Sequence, residues 1–248
     1  MEGDGCMNTK KLLKTDLQRL IFLGIIVAMK VEFQLFEALL VDKKEEVYRG
    51  FHFLCGKVQD KSVVLMQSGI GKVCAAAGTV EMIEHYAPDY ILNTGVAGGI
   101  DSKLRVMDIV VGKEVVYHDV WCGEGNEYGQ VQGLPARFVS DEYLYGVAMA
   151  VKSEVLLQGG LICSGDKFIT SCDELHVIKN NFPDGLAVDM ESGAIAQVCC
   201  MFGIPFLNCR IISDTPGFVE DHTAQYKNFW TLAPEKSVEV LQQIIERI

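Results

Sequence analysis

Three apolar segments of this chain each run into a carboxylate, and this pattern constrains the fold more than any other feature. The segments and the acids that follow them are residues 20–29 with Glu32, residues 185–188 with Glu191, and residues 205–213 with Asp214. A continuous apolar run without polar alternation is typical of a strand buried on both faces of a sheet. Because ligands of open α/β sheets bind beyond the carboxyl ends of the strands, we expect the three acids to share one ligand site.

Strands and helices alternate along most of the chain. Besides the two later segments that end in acids, strands are predicted at residues 20–27, 47–54, 62–67, 90–94, 108–117 and 156–164. Helices are predicted at residues 30–40, 71–86, 141–152, 171–180 and 235–248, and from the small residues after Glu191 to about Phe202. This alternation indicates a three-layer α/β/α sandwich around a mixed, largely parallel central sheet, in which the hairpin around residues 56–61 is antiparallel.

The length fits one large domain, and no linker, repeat or low-complexity stretch divides the chain. We therefore expect a single domain at residues 19–248, preceded by a polar, loosely ordered arm at residues 1–18. Residues 20–29 are too few to cross a bilayer, which takes about 20 apolar residues. No signal-peptide cleavage site follows them either, so a buried strand is the better interpretation.

The charge balance limits the possible partners. Aspartate and glutamate number 33 against 22 for lysine and arginine, which gives a formal net charge of −11. Nucleic acids and anionic membranes are bound through basic faces, so we expect neither as a partner. A neutral or cationic small molecule fits the composition better.

The cysteines and histidines indicate neither disulfides nor a metal site. The nine cysteines, an odd number, include no Cys-x-x-Cys pair. Disulfide frameworks are typical of shorter secreted chains with paired spacing, so we expect a reducing, cytoplasmic location. The five histidines show no metal-ligand spacing, and no Cys/His cluster resembles a zinc site. We expect no metal and no cofactor.

Two glycine-containing turns follow predicted strands. Residues 68–72 resemble a phosphate-binding loop, but Met66 and Val73 stand where that motif requires glycine and a hydroxyl residue. The turn could still direct backbone N–H groups at a ligand, or it could be a simple tight turn. Residues 95–99 lack the spacing of a dinucleotide-binding motif. A close approach of this backbone to a flat base remains open.

Each acid alone has an ordinary structural explanation as a helix-start or turn residue. Together, beyond three buried strands, they suit chemistry that develops positive charge, such as cleavage at a sugar C1. Arg210 lies within an apolar strand and requires a partner, unless it points outward from an edge. Plain core packing is the alternative to a base-binding wall for three apolar residues: Phe168, Met190 and Tyr226.

Six motifs occur in order and at compatible spacing: GIIVAM at residues 24–29 with Glu32, SGIGKV at 68–73, NTGVAGG at 93–99, SGDKFI at 164–169, VDME at 188–191 and RIISD at 210–214. With them, residues 20–248 resemble the 5′-methylthioadenosine/S-adenosylhomocysteine nucleosidase family, within the nucleoside phosphorylase superfamily. Departures from that family's pattern include residues 30–31, Asp189 and residues 215–218. They concern substrate preference and loop behaviour more than the type of reaction.

The resemblance implies roles for the three acids. Asp214 matches the general acid that protonates N7 of adenine, and Glu32 matches the carboxylate that positions the water attacking C1′. Glu191 matches the residue that accepts both ribose hydroxyls. Because the acid must keep its proton near neutral pH, we expect burial and neighbouring carboxylates to raise the pKa of Asp214.

The resemblance also implies a surrounding pocket and a partner subunit. Base and ribose would be lined by Val96, Ala97 and Gly98, with Phe168 stacking on adenine and Ile169 bonding its edge. Ribose and thioether would be surrounded by Met29, Ile70, Met190 and Tyr226. Ser213 would orient Asp214, and Arg210 would lie near the catalytic water. The family forms homodimers, and the loop from His118 to Pro135 would close the partner's pocket.

Hydrolysis is the expected reaction, because the first strand offers Met29 and Glu32 where a phosphorylase would need groups that bind phosphate. Two alternatives remain open at this point. One is a phosphate-dependent purine nucleoside phosphorylase. The other is a non-catalytic nucleoside sensor on the same fold, which the retention of all three acids disfavours. The sequence leaves open the preference among methylthioadenosine, S-adenosylhomocysteine and 5′-deoxyadenosine.

Overall fold

The computed structural model describes residues 21–216, 221–232 and 234–248; the predicted arm at residues 1–18 lies outside them, as do residues 217–220. The strands are β1 Phe22–Val27, β2 Val41–Tyr48, β3 Phe51–Val58, β4 Lys61–Gln67, β5 Tyr90–Gly99, β6 Ile109–Tyr117, β7 Phe138–Val139, β8 Leu157–Ser164, β9 Gly185–Asp189 and β10 Phe206–Asp214. The helices are α1 Lys30–Glu37, α2 Lys72–Tyr86, α3 Glu142–Met149, α4 Cys172–Asn181, α5 Ser192–Phe202, α6 His222–Leu232 and α7 Pro234–Arg247.

Helices cover both faces of the sheet. Along β1, Leu23, Ile25 and Val27 pack into one core with residues of α1, α3 and α7. Ile26, between them, points to the opposite core, which α2 and α5 complete. Because successive side chains of a strand point to opposite faces, a continuous apolar run is what burial on both sides requires. The predicted three-layer α/β fold with a mixed sheet is confirmed.

Part of the sheet closes on itself. Parallel pairing joins β4 to β1, β1 to β5 and β5 to β10. From β10 the sheet continues antiparallel to β6, then parallel to β8 and β9. The last strand of that series returns to β5 through a short antiparallel pairing of Gly98 with Val188 and Gly99 with Ala187. Five strands therefore form a ring, which the sequence did not predict.

This closure brings strand ends together. The β5–β9 pairing involves only the last residues of β5 and the second half of β9, so the carboxyl ends of two oppositely directed strands meet. β1 and β10 flank β5 in parallel, and their carboxyl ends lie at the same place. As a result, the three acids that follow β1, β9 and the body of β10 can share one cavity.

The predicted strand at residues 47–54 is wrong. Two strands, β2 and β3, occupy this region, and a turn at Arg49 and Gly50 separates them with positive φ angles of 47° and 86°. Most of β2 is solvent-exposed and carries the charged sequence VDKKEEVY. An exposed edge strand lacks the apolar pattern that identifies strands in a sequence, and charge on such an edge discourages pairing with another chain.

One strand boundary and one helix also differ from the prediction. Strand β5 was expected to end at Thr94, but it continues through the glycine-rich segment to Gly99. Those glycines are within the ring, where Gly98 and Gly99 pair with β9. Helix α6 was not predicted. The capping box at the start of α4 is confirmed: Ser171 Oγ accepts the N–H of Glu174, whose carboxylate accepts the N–H of Ser171.

Two observations bear on environment. Of the helices that the structure describes, none is long and apolar enough to span a membrane. The eight described cysteines are all free thiols, and Cys163, Cys199 and Cys209 are buried. Burial raises the pKa of Cys209 to about 12, so its thiol stays protonated and behaves as a small apolar core group.

Candidate active site

A cavity that opens to solvent lies where β1, β5, β9 and β10 end. Every residue predicted for catalysis or substrate binding lines it: Met29, Glu32, Ile70, Val96, Ala97, Gly98, Phe168, Ile169, Met190, Glu191, Arg210, Ser213, Asp214 and Tyr226. The other lining residues, which the sequence did not assign to the site, are Ala28, Lys167, Val188, Asp189 and Pro216.

Glu32 is buried in the first turn of α1, where its side chain reaches back to the preceding backbone. Oε2 accepts the N–H groups of Ala28 at 3.0 Å and Met29 at 2.9 Å, and Oε1 accepts the N–H of Val96 at 3.1 Å. Burial raises the pKa of Glu32, and these hydrogen bonds together with the charge of Arg210 only partly oppose that rise. The result is a fixed carboxylate that is more basic than an exposed glutamate.

Gly95 is where Glu32 and Arg210 approach each other. A Cβ atom on Gly95 would lie 2.7 Å from Glu32 Oε1 and 2.9 Å from Arg210 Nη1. Both distances are far below a van der Waals contact, so no other residue fits without moving one of the two charged groups. The glycine of the NTGVAGG motif at this position therefore has a direct steric function.

Arg210 is buried in β10 and has buried partners on β9 and β5. Nε donates to Asp189 Oδ2 at 2.6 Å, and Nη2 donates to Asn93 Oδ1. Burial by itself would lower the pKa of Arg210, but Asp189, Glu191 and Glu32 together raise it, so it remains a cation. Asp189 and Asn93 were missed from sequence, although a cation inside an apolar strand already signalled that buried partners exist.

Glu191 is the N-cap residue of α5, immediately after β9. Its Oε1 accepts the N–H of Gly71 at 2.9 Å. Burial and the nearby charge of Asp189 raise the pKa of Glu191 to about 7, against the opposing effects of Arg210 and the Gly71 hydrogen bond. This carboxylate therefore changes its protonation state near neutral pH.

Asp214 is buried at the carboxyl end of β10. Ser213 Oγ donates to Asp214 Oδ1 at 2.7 Å and lies 3.3 Å from the carbonyl oxygen of Ala97. The hydroxyl thus holds one carboxyl oxygen of Asp214 beside β5 and orients the carboxyl group. The raised pKa expected for Asp214 stays a prediction.

Apolar residues form the rim of the cavity. Ile70 and Phe168 are large side chains that are 56% and 48% exposed. The ring of Phe168 meets the ring of Tyr226 edge-to-face with centroids 5.6 Å apart. The hydroxyl of Tyr226 lies 3.6 Å from Met29 Sδ. Exposed apolar groups around a polar interior are typical of a site for a ligand with a flat, weakly polar part.

Two backbone N–H groups of the turn at residues 68–72 are bonded to carboxylates. The N–H of Gly71 is bonded to Glu191, and the N–H of Lys72 donates to Asp166 Oδ1 at 2.7 Å. Gly69 and Gly71 have φ angles of 88° and 90°, which other residues rarely adopt. Carboxylates of this chain therefore already take two of the backbone N–H groups that a phosphate could use.

The residues of the predicted partner loop, 118–135, do not line this cavity. Residues 118–137 contain no helix or strand, as expected for a long loop. His118 is buried within its own chain, whereas Trp121 is exposed. Pro135 lines a different groove together with Cys199 and Phe206. Within the described ranges, no group of His, Cys, Asp and Glu side chains is arranged to hold a metal ion.

The site is an acid-lined cavity at the strand ends of a partly closed α/β sheet. A family model described as the Phosphorylase superfamily matches residues 22–247, which gives the class of the protein. A 5′-methylthioadenosine/S-adenosylhomocysteine nucleosidase of Haemophilus influenzae (strain PittEE) is 41% identical over 229 residues, covering 91% of this chain and 99% of the relative. That of Geobacillus thermodenitrificans (strain NG80-2) is 39% identical over 228 residues, covering 90% and 95%.

Solved structures agree with these relatives. The nucleosidase of Colwellia psychrerythraea 34H in complex with adenine aligns with a TM-score of 0.87 and 35% identity, over 92% of this chain and 96% of that chain. That of Neisseria meningitidis in complex with methylthio-immucillin-A aligns with a TM-score of 0.87 and 35% identity, over 92% and 100%. The chain belongs to the phosphorylase superfamily and, within it, to the family of 5′-methylthioadenosine/S-adenosylhomocysteine nucleosidases, which are N-glycosyl hydrolases. The family resemblance and the enzyme class predicted from the motifs are confirmed.

Proposed function

We propose that this protein hydrolyses the N-glycosidic bond of 5′-methylthioadenosine and S-adenosylhomocysteine and releases adenine. The observation that carries the proposal is the meeting of Glu32, Glu191 and Asp214 in one cavity with an apolar rim. Related proteins of Haemophilus influenzae and Geobacillus thermodenitrificans bear the name of this activity. Two similar structures hold adenine or an analogue, methylthio-immucillin-A.

Asp214 is proposed as the general acid. Adenine leaves poorly as an anion, and a proton delivered to N7 lets it leave as a neutral molecule. A positioned acid contributes roughly 10²–10⁴ to such a rate. Ser213 donates to Asp214 Oδ1, which supports a carboxyl group whose other oxygen carries the proton toward the base.

Glu32 is proposed to position the attacking water. Its Oε1 accepts the N–H of Val96 and has lone-pair capacity left for a water hydrogen. Arg210 Nη1 lies beside the same Cβ position of Gly95 as Glu32 Oε1 and can donate to the oxygen of the same water. Because burial raises the pKa of Glu32, this carboxylate takes a proton from water more readily as positive charge develops at C1′.

Glu191 is proposed to accept the ribose hydroxyls, and the rim residues to hold the base and the 5′ thioether. Gly71 already bonds one oxygen of Glu191, which fixes the direction in which the remaining lone pairs point. Phe168 and Tyr226 offer aromatic faces beside the sulfur of Met29. Flat bases and thioethers are both bound well by such soft, apolar surfaces.

The phosphorylase alternative is disfavoured by charge and by hydrogen bonding. Among the described residues that line the cavity, the carboxylates Glu32, Asp189, Glu191 and Asp214 outnumber the cations Lys167 and Arg210. The backbone N–H groups of Ala28, Met29, Val96 and Gly71 are bonded to carboxylates. A phosphate dianion would meet like charge and few free donors.

The test is adenine release in phosphate-free buffer, with methylthioadenosine, S-adenosylhomocysteine and 5′-deoxyadenosine as substrates. Persistent release without phosphate is the expected result. Strict dependence on phosphate would reject hydrolysis in favour of the phosphorylase. Tight nucleoside binding without turnover would reject both enzymes in favour of a sensor.

We also propose a cytoplasmic homodimer in which the loop at residues 118–135 closes the partner's cavity. Trp121 is exposed and available for this contact, whereas His118 is buried in its own chain. Light scattering on the purified protein measures the oligomeric state. A monomer that retains full activity would contradict the role of the loop.

A further inference from the structure

Three polar residues from three loops bond to one another beside the cavity. Lys72 begins α2, Asp119 follows β6, and Asp166 follows β8. Lys72 Nζ lies 3.0 Å from Asp119 Oδ1 and 2.9 Å from Oδ2. The N–H of Asp166 donates to Asp119 Oδ2 at 2.9 Å, and the N–H of Lys72 donates to Asp166 Oδ1 at 2.7 Å. Each residue thus contacts the other two, and we refer to the three as the bracket.

The bracket adjoins both sides of the ligand cavity. Gly71, next to Lys72, donates its N–H to Glu191 Oε1 at 2.9 Å. Asp166 lies two residues before Phe168, an aromatic residue of the rim. The backbone of Gly71 is close to Asp166 as well, since a Cβ on Gly71 would lie 2.9 Å from Asp166 Oδ1. Movement of the loop that carries Gly71 or the loop that carries Asp166 would therefore change the hydrogen bond to Glu191.

From this geometry we infer that Lys72, Asp119 and Asp166 are positioning residues, which hold the Gly71 N–H against Glu191 and thereby aim that carboxylate at the hydroxyls of a sugar. The inference rests on the proposed function, in which Glu191 binds ribose. None of the three side chains needs to touch the ligand. Their contribution is the alignment of one acceptor before the ligand arrives.

The bracket is partly buried, which strengthens its interactions. The side chains of Lys72 and Asp119 are 25% and 27% exposed, unlike a fully solvated surface pair. The ammonium group of Lys72 also lies 5.1 Å from the centroid of the Tyr117 ring, which limits its freedom. Charge-assisted hydrogen bonds in such partly buried sites hold geometry better than exposed pairs do.

The experiment compares Lys72→Met and Asp119→Ala with the wild-type enzyme in the adenine-release assay. Both variants are expected to raise KM for methylthioadenosine about five- to tenfold, with kcat changed less than about threefold, because binding rather than the acid is disturbed. Lys72→Arg keeps the cation and should restore KM to near the wild-type value. The double variant should be less than additive, since both changes break the same bracket.

Lys179→Met is the matched control. Its side chain is 26% exposed, close to that of Lys72, and its ammonium group is likewise hydrogen-bonded. It donates to the carbonyl oxygens of Pro183 and Gly185, at the opposite end of β9 from Glu191. The control should lose some stability but keep its KM. An equal rise of KM in Lys179→Met would show general destabilisation and overturn the bracket.

The pH dependence of KM separates geometry from charge. The Gly71 hydrogen bond lowers the pKa of Glu191, so a loosened Gly71 should move the low-pH rise of KM to higher pH. Asp189, Arg210 and Glu32 also act on Glu191 and are unchanged in both variants. Lys72→Met removes a positive charge and Asp119→Ala a negative one, so simple electrostatics would shift the two profiles in opposite directions.

A shift of the low-pH rise of KM to higher pH in both variants supports the bracket, and shifts in opposite directions overturn it. Wild-type turnover is measured first, so that two failures remain distinct. A wild-type protein that releases no adenine would reject the proposed function. Normal wild-type turnover, with KM unchanged in Lys72→Met and Asp119→Ala, would reject the bracket alone.

Discussion

Arg210 and Asp189 form an ion pair in the interior, with Nε 2.6 Å from Oδ2 and side chains that are only 2% and 1% exposed. Asp189 Oδ2 also accepts the backbone N–H of Ser192 at 3.1 Å and its hydroxyl. One carboxylate oxygen therefore joins β10 to the start of α5. The pair holds the guanidinium group beside the Cβ position of Gly95, which the carboxylate of Glu32 also approaches.

Removing the charge of Asp189 should destabilise the fold. In Asp189→Asn the Arg210 cation remains buried without its counter-ion, which costs about 3–5 kcal/mol in comparable sites. Urea unfolding measures the loss. Asp184→Asn breaks the more exposed ion pair with Arg137 and should cost about 1 kcal/mol or less. Equal losses in the two variants would show that burial of the Arg210 pair has no special weight.

Gly95→Ala should greatly reduce catalysis, because the added methyl group collides with Glu32 Oε1 or Arg210 Nη1. We expect kcat to fall about 100-fold, which corresponds to roughly 2.7 kcal/mol in the barrier. Gly146→Ala is the control, since a Cβ there meets no atom within 4 Å and the residue lies within α3. That variant should gain stability and keep its activity. A fully active Gly95→Ala enzyme would contradict the assigned positions of Glu32 and Arg210.

Asp214→Asn should abolish adenine release while the nucleoside still binds. An amide has a similar size but no proton to give, so we expect kcat to fall by about 10²–10⁴. Calorimetry with methylthioadenosine measures binding to the inactive variant. Ser213→Ala should have a smaller effect, because it removes only the hydroxyl that holds Oδ1. Undiminished turnover in Asp214→Asn would assign the acid to another group.

Nucleoside binding should weaken at low pH. The pKa of Glu191 is raised to about 7 by burial and Asp189, so its carboxylate is progressively protonated as the pH falls through that value. The protonated group loses acceptor capacity for ribose hydroxyls, and KM should rise below about pH 7. In Glu191→Gln we expect a high KM that varies little over the same range. A pH-independent KM in the wild-type enzyme would argue against Glu191 as the ribose acceptor.

Stability should show the opposite trend with pH. A carboxyl group whose pKa is raised on folding contributes stability below its unfolded value, and this contribution is lost as the pH rises through the folded value. For Glu191 that window runs from the ordinary glutamate pKa of 4.5 to the folded-state pKa of about 7. Relative to wild type, Glu191→Gln should therefore become more stable between pH 5 and pH 8, by about 1–3 kcal/mol. Denaturant unfolding at both pH values measures the difference.

Burial explains how well different parts of the fold could be predicted. β1 and β10 have strong apolar runs because both faces are covered, and their acids could be recognised from the sequence. Most of β2 was not predicted, because this exposed edge strand carries charged residues instead of an apolar pattern. The end of β5 escaped because glycines usually indicate a turn, whereas here they allow close approach at Gly95 and pairing at Gly98 and Gly99.

The residues that support the site were harder to find than those that line it. Glu32, Glu191 and Asp214 stand at recognisable strand ends and within motifs. Asp189 and Asn93 also fall within motifs, but their role as partners of Arg210 depends on how the fold arranges β5 and β9 around β10. Strand neighbours are set by long-range pairing, which a local pattern does not contain.

By itself the sequence determined the α/β class, the presence of a cation within an apolar strand and the three acids at the ends of apolar strands, because each is a local pattern of polarity. Only the tertiary structure decided that β9 meets β5 end to end, that Asp189 neutralises Arg210 and that carboxylates occupy the turn at residues 68–72. Those relationships join residues far apart in the chain, and they are fixed by the closure of the sheet and the cost of leaving a buried charge unpaired.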